Sequence, residues 1–191
     1  MHLKVEFEKR LFIGIPANQG IQSLLANFKS TIKYNPSQIQ WVSPNNIHLT
    51  LLFLGNVIID NIPTLTNTIN GILDLKHLKV SIEKTGIFHS IQSKNIFWLG
   101  VGYGKQKIVD LHKHVKNSTT QFNVGRKEEQ FIPHITIGRT PQSCRNIDFL
   151  PFLKYVYSPI ELYVNSFVLY ESKLFPEGAK YRMLNEFPLN R

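Results

Sequence analysis

The chain has 191 residues, enough for one core without disulfide or metal staples, and its 42% hydrophobic and 12% aromatic shares are those of a globular protein. The single cysteine, Cys144, excludes a disulfide framework within the monomer and a four-cysteine zinc site, and reads as an inert thiol. Lys and Arg outnumber Asp and Glu by 22 to 13, a net charge of +9, which favours a polyanionic partner; with no run of five basic residues, a groove or pocket fits better than a basic tail.

The first ten residues alternate charged and apolar side chains and contain no continuous apolar stretch of the secretory kind. No run of 18 apolar residues exists, so a transmembrane helix is not expected and the cytoplasm is the expected location. Leu11 to Ile15 reads as a buried strand ending at Pro16. Ile21, Leu24, Leu25, Phe28 and Ile32 recur at helical spacing, predicting a helix over about 18–33 with Asn18 as its cap. Trp41 and Val42 begin an extended piece, and Ile47 to Leu54 reads as a strand stopped by Gly55-Asn56. Ile62, Leu65, Ile69, Ile72 and Leu73 mark a second helix, and Val80 to Phe88 and Asn95 to Val101 read as strands. Ile108, Leu111, Val115 and Phe122 mark a third helix; Phe131 to Ile137 and Ile160 to Tyr170 read as strands, with a short last one near Met183 to Leu189.

This order suggests a duplication. Strand, helix and His-x-Thr strand follow one another from Phe12 to Leu51 and again from Phe97 to Ile137. The chain is therefore read as one domain, residues 1–191, of two pseudo-symmetric lobes that bring the two His-x-Thr strands to a shared cleft.

Side chains alternate across a strand, so His48 and Thr50 share one face while Leu49 and Leu51 share the other. His134-Ile135-Thr136-Ile137 repeats the pattern. About 0.07 such His-apolar-Thr-apolar matches are expected by chance in a chain of this composition; two occur. Two imidazoles suit phosphodiester hydrolysis. With an ordinary pKa of about 6.5, one can take a proton from water while its partner gives one to the leaving oxygen, without a metal. The threonine hydroxyls can donate to the non-bridging oxygens and fix the phosphorus between the rings.

These motifs resemble those of the two-histidine phosphoesterase superfamily, and within it the RNA 2′,3′-cyclic phosphodiesterases, also called LigT or 2′-5′ RNA ligase-like proteins. The likeness spans nearly the whole chain: Arg10 to Ile15, Val42 to Gly55, Gly86 to Phe88, Ile96 to Val101, Pro133 to Arg139, and Leu169 to Ser172 followed by Tyr181. The resemblance implies an α+β, bilobal fold with two antiparallel sheets facing a central groove and helices outside. It implies hydrolysis of terminal 2′,3′-cyclic phosphate to a 2′-phosphate, with His48 as proton donor and His134 as proton acceptor. Family members also join RNA ends through a 2′-5′ linkage. The segment from Pro141 to Ser158 diverges and is expected to shape substrate choice.

Thr50, Thr136 and Arg139 are the expected phosphate ligands, although by period-2 counting from Ile137 Arg139 falls on the buried face unless the strand ends at Gly138. Phe12 and Tyr181 are further substrate-binding candidates, Phe12 by stacking on a base against the simpler reading of core packing. Arg182 is placed with Tyr181 as able to reach the groove, and Lys94, Arg126 and Lys127 as loop cations that attract RNA or merely face solvent. His112 and His114 lie two apart on a helix and do not face each other, which argues against a metal pair; no metal or other cofactor is expected. His2, His77 and His89 read as surface residues. The expected partners are RNA ends or nucleotides bearing a cyclic phosphate, with no membrane and no obligate protein partner. The alternatives are a 2′-5′ RNA ligase, a nucleotide cyclic phosphodiesterase, and a non-catalytic RNA-binding module.

Overall fold

The computed structural model describes residues 7–35, 37–71, 75–89, 94–122, 130–141, 144, 147–176 and 178–190. The elements are β1 (Glu8–Pro16), α1 (Gln19–Thr31), β2 (Gln40–Trp41), β3 (His48–Ile58), α2 (Ile62–Asn70), β4 (Leu78–Phe88), β5 (Ile96–Val101), α3 (Lys105–Ser118), β6 (His134–Arg139), α4 (Leu150–Leu153), β7 (Ile160–Val164), β8 (Ser166–Phe175) and β9 (Gly178–Pro188). Asn18 caps α1, its side chain accepting the Ile21 N–H at 3.1 Å, and the stripe Ile21, Leu24, Leu25, Phe28 is buried. α2 buries Leu65 and Ile69 and α3 buries Ile108, Leu111 and Val115 in the same manner.

The described strands form one curled antiparallel sheet in the order β7-β4-β5-β6-β3-β1-β8-β9, with β2 added to β6. The two expected sheets are the two halves of this path. They meet at one register pair, Leu49 with Ile135. Further along, β6 pairs with β2 instead, at Gly138 and Arg139, so β3 and β6 have parted there. Leu49, Leu51, Ile135 and Ile137 join Ile108, Leu111 and Val115 of α3 in the core. The apolar residues of the two motifs thus bury on the helix side, as the alternation requires.

Several boundaries differ from the sequence reading. Gly55 does not stop β3. It takes φ of 79° where Leu54 is an extra residue opposite the Leu11–Phe12 step, and the strand continues to Ile58 against Glu8. The third helix ends at Ser118, and Phe122 lies in a separate helical turn, Thr120–Phe122. The segment from Ile160 to Tyr170 is two strands parted at Asn165. β7 pairs with β4 and β8 with β1, so the chain crosses there between the halves. The last strand is longer than expected, because β9 pairs along β8 from Gly178 to Pro188, with Leu184 as an extra residue. Ile72 and Leu73 lie outside the described residues. Among the described residues no helix is long and apolar enough to cross a membrane.

Candidate active site

The pairing of Leu49 with Ile135 decides what the other face carries. In an antiparallel pair the neighbours of a matched couple are matched in turn, on the opposite face. His48 and Thr50 of β3 and His134 and Thr136 of β6 therefore flank one point on the side away from the helices. All four are half-buried, while Leu49, Leu51, Ile135 and Ile137 are at most 1% exposed.

Both imidazoles are held the same way. His48 Nδ1–H donates to the Asn46 carbonyl at 2.7 Å, and His134 Nδ1–H donates to the Ile132 carbonyl at 2.7 Å. A carbonyl only accepts, so each neutral ring keeps its hydrogen on Nδ1 and leaves Nε2 as the unprotonated nitrogen. His48 Nε2 lies 3.0 Å from Thr50 Oγ1. Asn46 is itself pinned, its side chain donating to the Ala179 carbonyl at 2.8 Å.

Aromatic side chains hold the rings. Phe12 lies 4.7 Å from His48, centroid to centroid, and Tyr181 meets His48 edge-on at 5.2 Å; Tyr170 stacks on Phe12 at 4.9 Å. On the other side Phe88 meets His134 edge-on at 4.8 Å, with Trp98 5.2 Å from Phe88. Gly14, paired with Thr50, makes room for His48: a Cβ there would stand 3.2 Å from its Cδ2 and 3.1 Å from the Leu49 carbonyl.

Burial is the main cause that lowers the pKa of both histidines, and their backbone carbonyls oppose it. His48 is brought to about 4, with Arg139 and then His134 adding charge repulsion. His134 also falls, with Arg139 again a contributor. Arg139 is therefore near enough to act on both rings. Its face follows from a bulge that period-2 counting did not include. Trp98 pairs with Thr136 and Phe97 with Gly138, leaving Ile137 as the extra residue. That single insertion returns Arg139 to the face of Thr136, correcting the buried-face reading. Among the described residues Arg139 has no carboxylate partner.

Other expectations are changed or filled in. Phe12 is 2% exposed, so it cannot offer a free face to a base; it backs the His48 ring instead. Tyr181 does border His48, but Arg182 points to the opposite face, where Nε and a terminal nitrogen reach the buried Glu171 carboxylate at 2.9 and 2.7 Å. Lys9 and Lys173 approach the same carboxylate at 3.8 and 3.7 Å. Lys94 is exposed, and Arg126, Lys127 and His2 lie outside the described residues. His77 and His89 are exposed, and Cys144 is a half-buried free thiol. His112 stacks on Phe131, whereas His114 bonds its own helix at the Asp110 carbonyl. No three His, Cys, Asp or Glu side chains among the described residues converge as a metal site would require. Phe88, Trp98 and Tyr170 were missed by sequence reasoning. Their aromatic character was visible, but their convergence depends on strand order.

Comparison with known proteins agrees with the fold. A Thermotoga maritima protein named RNA 2′,3′-cyclic phosphodiesterase is 29% identical over 185 residues, covering 93% of this chain and 94% of its own length. One of the same name from Methanothermobacter thermautotrophicus is 27% identical, covering 94% and 98%. The crystal structure of Escherichia coli LigT complexed with 3′-AMP shares the fold, with a TM-score of 0.76 at 20% identity over 96% of this chain and 99% of that one. The family model of the 2′-5′ RNA ligase superfamily matches residues 25–174, more than half of the sequence, and the chain belongs to that superfamily.

Proposed function

We propose that the protein hydrolyses 2′,3′-cyclic phosphate at RNA ends to a 2′-phosphate, by metal-independent acid–base catalysis with His48 and His134. The observation that carries this reading is the Leu49–Ile135 pair, which sets two identically tethered histidines, each with Nε2 as its reactive nitrogen, on one face. The names of the relatives support the substrate class.

In this reading His134 Nε2 takes a proton from water as the water oxygen bonds to phosphorus. The bond from phosphorus to the 3′-oxygen breaks, and His48 Nε2–H gives its proton to that oxygen. The product carries a 2′-phosphate and a 3′-hydroxyl. Thr50, Thr136 and Arg139 hold the non-bridging oxygens, Arg139 contributing a full charge. Burial keeps His134 neutral near pH 7, as a base must be. Tyr181 borders the substrate beside His48. We also read residues 1–191 as one domain of two related lobes. The sheet order supports this: outward from the central pair it runs β6-β5-β4-β7 on one side and β3-β1-β8-β9 on the other.

The test is incubation of a short RNA ending in a 2′,3′-cyclic phosphate, with EDTA present. Conversion to the 2′-phosphate is expected, with His48→Ala and His134→Ala each slowed about 10²–10⁴-fold. Unchanged RNA, or both variants turning over normally, would sink the reading.

A further inference from the structure

We propose that His112 is a positioning residue that ties the two His-x-Thr strands together from behind the sheet. The proposal rests on the reading of His48 and His134 as the acid–base pair. Against β1, Ile13 pairs with Leu52 and Gly14 with Thr50, so Leu51 is an extra residue in β3, directly after Thr50. A bulge interrupts the ladder, and a carbonyl freed in an apolar setting needs a donor from elsewhere. His112, on α3, supplies it: its Nδ1–H donates to the Leu51 carbonyl at 2.7 Å.

The same ring reaches the other motif. It lies flat on Phe131 with centroids 3.9 Å apart and planes 9° from parallel. Phe131 directly precedes Ile132, whose carbonyl holds His134 Nδ1. One imidazole thus touches the residue after Thr50 and the residue before the His134 tether. Burial lowers the His112 pKa, with Lys116 and Lys113 adding to it, so the ring is neutral at neutral pH and its one N–H is committed to Leu51. Leucine at this position would fill space but leave the carbonyl unpaired.

The two contacts can be separated. His112→Phe keeps a ring for Phe131 and loses the N–H; His112→Asn keeps an N–H near the Nδ1 position and loses the stack. The measurements are kcat and KM on the cyclic-phosphate RNA, the unfolding midpoint, and the NMR signals of the His48 and His134 rings. Each variant is expected to fold and to lose about tenfold in kcat, with KM within about threefold and both sets of imidazole signals displaced. Unchanged kcat in folded His112→Phe, or imidazole signals that stay in place, overturns the proposal. If the wild-type protein leaves the RNA intact, the acid–base reading fails, and the NMR signals alone decide whether His112 orients the two rings.

Discussion

Filling the site with a phosphate anion should raise the pKa of the His48 imidazole. In the free protein burial holds this imidazole near pKa 4. At pH 7 a group of that pKa is protonated in about one molecule in a thousand, which is poor provision for a proton donor. A singly charged phosphodiester at about 4 Å, with an effective dielectric of about 20, contributes about 4 kcal/mol to the protonated ring. At 1.36 kcal/mol per pKa unit this is about three units, enough to carry His48 from about 4 to about 7. The substrate would then complete its own acid catalyst. The assay is an NMR titration of the His48 ring, free and with a singly charged phosphodiester that the protein cannot hydrolyse. Because the pKa rises on binding, affinity should strengthen as pH falls from about 7 to about 4 and level off below. In kinetics, the alkaline limb of kcat should lie near pH 7, while kcat/KM, which reports the free enzyme, peaks on the acid side of 6.5. A free-protein His48 pKa near 6.5, or one that does not rise on binding, would refute the reasoning.

Three further outcomes are expected. Arg139→Gln should raise KM about tenfold and move the kcat/KM profile to higher pH, since the guanidinium lowers both histidines; an unmoved profile would uncouple it from them. Gly14→Ala puts a methyl 3.2 Å from His48 Cδ2, and should cut kcat about tenfold at a stability cost below about 1 kcal/mol; full activity would mean the ring has slack. Glu171→Gln leaves Arg182, Lys9 and Lys173 facing an uncharged amide, and should cost about 1–3 kcal/mol in urea unfolding at pH 7, with a loss under about 0.5 counting against a structural role.

The His-x-Thr pairs were legible because strand alternation needs only local sequence, and the apolar partners at Leu49 and Ile135 fix which face is buried. For the same reason alternation could put Arg139 on the phosphate side only if the strand ended at Gly138, and the strand does not end there. Alternation counts every residue, and the bulge at Ile137 removes one from the count. Gly55 looked like a stop because glycine serves both a turn and a bulge, and only the pairing with β1 distinguishes them. Phe12 lies on a strand buried on both faces, so pattern alone could not separate a wall from a platform. The carbonyls of Asn46 and Ile132 leave no trace in residue type. The convergence of Phe88 and Trp98 on His134 follows from β4 and β5 lying next to β6, which is a matter of topology.

The matching tethers on the two histidines have a consequence for direction. Each ring presents the same nitrogen, and neither needs to turn over to exchange giving for taking. If the proposed roles hold, microscopic reversibility makes the ring that protonates the departing 3′-oxygen the ring that would deprotonate a 3′-hydroxyl when a 2′-5′ linkage is opened. A 5′-hydroxyl arriving at His134 in place of water gives joining instead of hydrolysis, with every proton following the same route. On the proposed roles the protein's groups are therefore indifferent between cutting and sealing, and the choice belongs to whichever hydroxyl occupies the mouth of the cleft.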